Sequence, residues 1–262
     1  MMAEGRRAGF QRPARAFSLV EMLAVVAILA VLIFVAVGAT YKTIRSASLA
    51  TSANNIRQLA AGASAYLGDN NYTFWEFYEK VPDPARRGVR WWFGFESASS
   101  LKKREGQRIL DTTDGPLGGY IPGGFRPDPS FQFSGKPFKP KYQFGYIGVG
   151  YNVLLGGGWR DESTPMRYFE LEKPGEIVVF ATSAQVNTFQ SPASPSNPMI
   201  EEFYGIDEDD LTIHGRHNGL AMVVYATGNA GFLPLDPATI DPRAPEANIG
   251  RFAPPGSTRY LK

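Results

Sequence analysis

The sequence contains no cysteine and only two histidines among its 262 residues. Without cysteine, the chain has no disulfide scaffold, no thiolate metal site and no cysteine nucleophile. A domain outside the cytoplasm would therefore depend on its hydrophobic core alone. With 44% hydrophobic residues, a chain of this length is able to bury such a core in one or two domains.

Net charge is also scarce, since the formal charge is only +2. The excess lies at the N-terminus, where Arg6, Arg7, Arg12 and Arg15 are opposed only by Glu4. Beyond residue 16 the acidic and basic side chains are nearly balanced. This balance argues against nucleic-acid binding, which usually requires a basic face.

A long segment near the N-terminus has no charge between Met22 and Ala39. As a helix, residues 17–39 would extend about 34 Å, which matches a hydrocarbon core about 30 Å thick. Arginines precede this run, which favours a cytoplasmic N-terminus and export of the remainder. The sequence therefore predicts a single-pass protein with a cytoplasmic N-terminus and with most of the chain outside the inner membrane.

Glu21 is the one carboxylate inside this apolar region. A secretory signal peptide and a simple membrane anchor are two interpretations of the run, but neither explains a charge there, because intramembrane charges usually have partners. A partner would exist if the chain were cut between Ala16 and Phe17. The new α-amino group of Phe17 would then pair with Glu21 of a neighbouring subunit.

The stretch "AFSLVEMLAVVAILAVL" resembles the class III signal of type IV pilins and pseudopilins. The resemblance implies that prepilin peptidase, a membrane aspartyl protease, removes the leader after Ala16 and methylates Phe17. It also implies that Glu21 is required for assembly with other pilin-like subunits into a homo- or hetero-filament. Ala16 stands where that family usually has glycine.

The region after the apolar run lacks proline and predicts that the helix continues to about Leu67. Apolar or small residues share one face of it: Leu49, Ala53, Ile56, Leu59, Ala63 and Tyr66. The expected organisation is a leader at 1–16, a transmembrane helix at 17–39, its periplasmic continuation at 40–67 and a globular domain at 68–262.

The globular part predicts an α+β, pilin-like fold, in which the long helix packs on an antiparallel sheet with Gly/Pro-rich loops at 111–141. Strands are expected in "KYQFGYIGVGYNVLL", with Tyr142, Phe144 and Tyr146 on one face, and in "GEIVVFAT", "LAMVVYAT" and "AGFLPL". An aromatic block, "NYTFWEFYEK" with "RWWFGFE", suits either a core layer or a binding surface.

The C-terminal half resembles a bacterial group of prepilin-like proteins described by an H-x9-DG motif. His217 and Gly228 take the histidine and glycine places, while Thr227 stands where the aspartate belongs. Physically, Gly228 before Asn229 between two apolar runs predicts a hairpin turn. We expect His217 to lie at the start of a strand and to make a hydrogen bond.

Two groups of polar residues are candidate metal sites. His214 and His217 have zinc-like spacing, but Gly215 and Asn218 argue against the helix that this spacing needs, and no third ligand is evident. The acidic stretch with Asp207, Asp209 and Asp210 suits either calcium or a solvated loop. The sequence therefore predicts no catalytic residues, no required cofactor and no enzyme.

Three classes of function follow from these observations. The first is a pilin-like subunit assembled by helix packing into a type II secretion pseudopilus or a type IV pilus. The alternative is a monomeric, membrane-anchored binding protein for a polysaccharide or an envelope partner. An enzyme is the third, and it would have to depend on His214 and His217.

Overall fold

A computed structural model describes residues 18–131, 137–143, 145, 147–157 and 164–262. The chain divides into two units, Met1–Ser46 and Ala47–Lys262, which are described separately. Helix α1, Leu19–Asp69, is 51 residues long, and the boundary between the units falls within it. The absence of proline from this range permits an uninterrupted helix.

In the second unit, one face of α1 packs into the domain core. Its buried residues are Ser52, Ile56, Leu59, Ala60, Ala63 and Leu67. Ala53 and Tyr66 are partly buried against the same core. Leu49 was expected to share in this packing but is 38% exposed, because the contact with the domain begins about one turn later, at Ser52.

Short strands and turns make up most of the globular unit. The strands are β1 (Tyr78–Val81), β2 (Gly88–Trp91), β3 (Gly94–Ser97), β4 (Phe138–Lys139), β5 (Val149–Asn152), β6 (Val178–Thr182), β7 (Gln185–Asn187), β8 (Met199–Glu201), β9 (Gly205–Ile206), β10 (Ile213–His214), β11 (Leu220–Tyr225), β12 (Ala230–Pro234) and β13 (Ile249–Gly250). A second helix, α2, covers Val153–Gly156. Single 3₁₀ turns occur at Pro84–Arg86, Tyr168–Glu170, Pro237–Thr239 and Pro245–Ala247.

The central sheet has the strand order β12-β11-β6-β5-β9. The β-branched runs predicted as strands form β6 and β11, which pair antiparallel, and β12 continues from β11 as a hairpin. All five residues of β6 are buried, because both faces of this strand are covered. Strand β9 pairs parallel with β5, so the central sheet is mixed. The long N-terminal helix followed by antiparallel and mixed sheets confirms the predicted α+β fold.

Within the described residues there are three smaller sheets besides the five-stranded one. Strands β1, β2 and β3 form an antiparallel meander, β10 pairs with β13, and β8 lies between β4 and β7. The expected strand around Tyr142 begins only at Val149. Tyr142 itself is buried in an irregular segment, whereas Phe144 and Tyr146 lie outside the described residues.

Most of the aromatic block belongs to the core. Phe74, Trp75, Phe77, Trp92 and Phe93 are all buried. The Trp75 ring stacks on the rings of Tyr151 and Phe180, with centroids 4.9 and 5.7 Å apart. These side chains therefore supply packing between the sheet and α1, and they are not a binding surface.

The Gly/Pro-rich segment 111–141 consists largely of turns, as predicted, within its described part. It is anchored by buried apolar side chains at Leu117, Ile121, Phe125 and Phe131. The segment also contributes the short strand β4, which pairs parallel with β8. The described part of the segment is therefore an ordered region of the domain.

Candidate functional site

The first described residues form a reciprocal cap at the start of α1. The backbone N–H of Ser18 donates to the Glu21 carboxylate at 2.8 Å, and the backbone N–H of Glu21 donates to the Ser18 hydroxyl at 3.2 Å. This is a capping box, which satisfies donors that a helix start otherwise leaves open. The Ser-x-x-Glu spacing is the sequence signal for this cap, whereas the charge pattern alone does not indicate it.

The apolar part of α1, Leu19–Val37, is long enough and apolar enough to cross a membrane. None of this stretch is buried within the protein. Its large side chains are mostly more than half exposed, and Phe34 reaches 83%. A surface of this size and composition requires lipid or other helices around it. Ala16 and Phe17, the predicted processing residues, lie outside the described residues.

The resemblance-derived residues His217, Thr227 and Gly228 lie at the two ends of β11. The backbone N–H of Tyr225 donates to the Asn229 carbonyl at 2.9 Å, and that of Gly228 donates to the Tyr225 carbonyl at 2.8 Å. These bonds define a three-residue hairpin loop, 226–228. Its third residue, Gly228, has φ +83°, the left-handed conformation that this loop type requires. The predicted hairpin turn is thus confirmed, with Thr227 exposed at its tip.

His217 lies at the other end of β11, where it bridges to Leu220. Its backbone N–H donates to the Leu220 carbonyl at 3.2 Å, and its ring packs edge-on against Phe232. The expected position at the start of a strand is confirmed. His214 precedes it on β10 rather than on a helix, so the two histidines do not have the geometry of a helical zinc site.

His214 belongs to a buried cluster with Arg216 and Asp128. Arg216 Nη1 lies 2.9 Å from His214 Nδ1, and Arg216 Nη2 donates to Asp128 Oδ2 at 2.6 Å. Because a guanidinium only donates, Nδ1 is the acceptor and the imidazole is neutral. Burial, together with the Arg216 charge, holds the pKa of His214 well below its usual value.

Asp128 connects this cluster to α1. Its Oδ1 accepts hydrogen bonds from the Ser52 hydroxyl, from the Ser130 hydroxyl at 2.7 Å and from the Ser130 backbone N–H at 2.9 Å. Although burial opposes ionisation, Arg216 and these donors hold the pKa of Asp128 below its usual range. The cluster is buried and its polar groups bind one another, which indicates a structural role.

Two further buried carboxylates are Glu202, directly after β8, and Glu96 on β3. Glu202 accepts the backbone N–H groups of Ile147 and Lys141 at 2.9 and 3.3 Å. Burial raises the pKa of Glu202 to about 7, despite these donors. Nearby, Glu96 receives two hydrogen bonds from Arg108, at 2.7 and 2.5 Å. Neither carboxylate had been singled out from the sequence.

The acidic loop is organised by Asp207, which is buried. Its Oδ1 accepts the backbone N–H groups of Asp209 and Asp210 at 2.9 and 2.6 Å. This is local turn chemistry. Within the described part of the chain, no group of three or more His, Asp or Glu side chains is arranged to hold a metal ion.

Residues 11–37 match the family model of the prokaryotic N-terminal methylation motif. The match supports a prepilin-type signal and indicates a type IV pilin-like substrate of prepilin peptidase. Together with the apolar helix, it indicates membrane anchoring and a structural subunit. No curated protein and no solved structure matches the sequence. The resemblance of the C-terminal half to the H-x9-DG group stays a prediction.

Proposed function

We propose that this protein is a pilin-like subunit that assembles by helix packing into a type II secretion pseudopilus or a type IV pilus. The observation that carries the proposal is the apolar helix Leu19–Val37, none of which is buried within the protein and which lies inside the methylation motif. It begins at the capping box formed by Ser18 and Glu21. Prepilin peptidase would cut between Ala16 and Phe17. The globular unit would then be displayed on the periplasmic side.

Assembly would replace lipid contacts of the helix by contacts with other helices. Lipid tails and the apolar side chains of a neighbouring helix are similarly apolar, so replacing one by the other changes the free energy little. Specific register must then come from polar contacts. The carboxylate of Glu21 is the acidic group available in the described part of this span, and the α-amino group of Phe17 in a neighbouring subunit is its complement.

The buried face of α1 fixes this part of the helix firmly to the globular unit. Five apolar residues from Ile56 to Leu67 and the Ser52 hydroxyl hold this part of α1 in the globular unit. Movement of the helix within this unit would therefore carry the domain with it. A filament subunit needs this property, because assembly acts on its helix.

The first experiment is the N-terminal mass of the protein recovered from its native membranes, with and without prepilin peptidase. We expect a methylated Phe17 terminus that is lost when the peptidase is absent. An intact Met1 terminus, or a cut near Gly38, would overturn the proposal and favour a simple anchor or a secreted domain.

A second experiment separates a filament subunit from a membrane-anchored binding protein. The absence of native cysteine makes engineered disulfides unambiguous. The variant A24C/A36C places two thiols about 18 Å apart along the helix, too far to bridge each other. If the protein forms filaments, oxidation of the double variant gives a ladder of disulfide-linked dimers, trimers and larger oligomers on a non-reducing gel. Each single variant has one thiol and can form only dimers. A monomeric anchor gives no ladder from the double variant.

A further inference from the structure

The turn that follows α1 contains an N-glycosylation acceptor sequence, Asn71-Tyr72-Thr73. No other asparagine in the chain is followed two residues later by serine or threonine. The acceptor Asn71 lies two residues after Asp69, the last residue of α1. The prediction of function made no use of this motif.

The side chain of the acceptor Asn71 is accessible, whereas that of the neighbouring Asn70 is held by a hydrogen bond. Asn71 is exposed and has φ +53°, in a turn closed by the Tyr72 N–H donating to the Leu67 carbonyl at 2.8 Å. The Asn70 carboxamide donates to the Tyr66 carbonyl at 2.8 Å. Among the described residues, the Asn71 carboxamide has no hydrogen-bond partner. It is therefore presented to solvent on an ordered turn.

An exposed aromatic pair lies beside this turn. Tyr72 is 46% exposed and Phe169 is 69% exposed, with ring centroids 4.8 Å apart. The Tyr168 N–H donates to the Tyr72 carbonyl at 2.7 Å, so the two segments are fixed together. Sugar rings stack on aromatic faces of this kind, and a saccharide on Asn71 would cover apolar surface that is otherwise open to water.

We propose that Asn71 is modified by an N-linked glycan after export, an inference that relies on the periplasmic location in the proposed function. The donor would be a saccharide linked to a lipid pyrophosphate. The Asn71 amide nitrogen forms a bond to the anomeric carbon, the bond from that carbon to the pyrophosphate oxygen breaks, and the amide proton is lost as the lipid pyrophosphate leaves. No oxidant or reductant is consumed.

The experiment is peptide mass mapping of the full chain purified from its native host. Trypsin releases Asn71 within the peptide 58–80. We expect this peptide to carry sugar-residue mass in the wild type, and to lose it in N71D and T73A. The control T73S keeps a hydroxyl at the required position and should keep the glycan. N71D suits the turn, because aspartate also tolerates positive φ.

The same map reads the N-terminal peptide, so the two proposals fail separately. Peptide 58–80 found only without sugar overturns the glycosylation, whatever the N-terminus shows. A sugar-bearing peptide with an uncut N-terminus supports the glycosylation and contradicts the processing. Glycan that persists in N71D would place the modification elsewhere and would also overturn the assignment.

Discussion

The Arg216 guanidinium donates to the Asp128 carboxylate at 2.6 Å in a buried site. The other oxygen of Asp128 accepts a hydrogen bond from Ser52 on α1. One ion pair thus joins the long helix, the Gly/Pro-rich segment and the connection between β10 and β11. Removing one charge from a buried pair leaves the other uncompensated, which costs more than the pair contributes.

We predict that R216M lowers the free energy of unfolding by about 3 to 5 kcal/mol, because it leaves the Asp128 carboxylate buried without its cation. Methionine retains most of the length of the arginine stem. The measurement is urea denaturation of the detergent-solubilised full chain. S52A is the matched control, and it should cost less, about 1.5 to 3 kcal/mol, as expected for the loss of one hydrogen bond to a charged group.

The double variant R216M/D128N provides the second test of this pair. With both charges removed, the loss should be smaller than the sum of the single losses. Additive losses would show that the two side chains do not act as a pair.

We predict that E21Q reduces incorporation into filaments by about tenfold or more, because the neighbouring Phe17 amine is left unpaired in an apolar phase. Glutamine still caps the helix at this position, so helix formation and processing should be retained. The measurement is the fraction of protein in sheared or pelleted filaments relative to the membrane fraction.

The complementary control is S18A, which removes half of the capping box and keeps the charge of Glu21. Its assembly should stay close to that of the wild type. If S18A fails and E21Q assembles, the role of Glu21 is helix capping, and the proposed pairing with Phe17 is wrong.

Local patterns in the sequence predicted much of the fold. The apolar run and Glu21 indicated the N-terminal signal, because a charge in such a run stands out from its immediate neighbours. The runs that form β6 and β11, and the turn at Gly228, followed from short-range chemistry. Each of these features depends on residues only a few positions apart.

The contacts inside the globular unit could not be predicted in this way. Asp128 and Arg216 are separated by 88 positions, and Ser52 lies a further 76 positions from Asp128 in the opposite direction. Their meeting depends on the packing of the whole domain. The burial of Glu202, and the weak packing of Leu49, likewise follow from tertiary structure.

We predict that Glu202 makes the wild type less stable as pH rises. Its pKa of about 7 in the folded state exceeds the ordinary 4.5, so the folded state holds an extra proton between these values. The contribution of Glu202 to the free energy of unfolding is complete below pH 4.5. It is lost as the pH rises from 4.5 through 7, by about 3 kcal/mol in total. E202Q should remove this loss, as measured by urea denaturation from pH 4.5 to 8. An unchanged pH profile would contradict the assignment.

His214 should act in the opposite direction over the same pH range. Its folded pKa lies well below 6.5, so the unfolded chain binds a proton that the folded chain refuses. Stability therefore falls as pH drops below 6.5, by about 1.4 kcal/mol for each pH unit above the folded pKa. H214N retains an acceptor near Nδ1 for Arg216 and does not titrate. We expect H214N to gain stability relative to the wild type on acidification, and E202Q to lose it. If both variants shift in the same direction, one of the two protonation states is wrong.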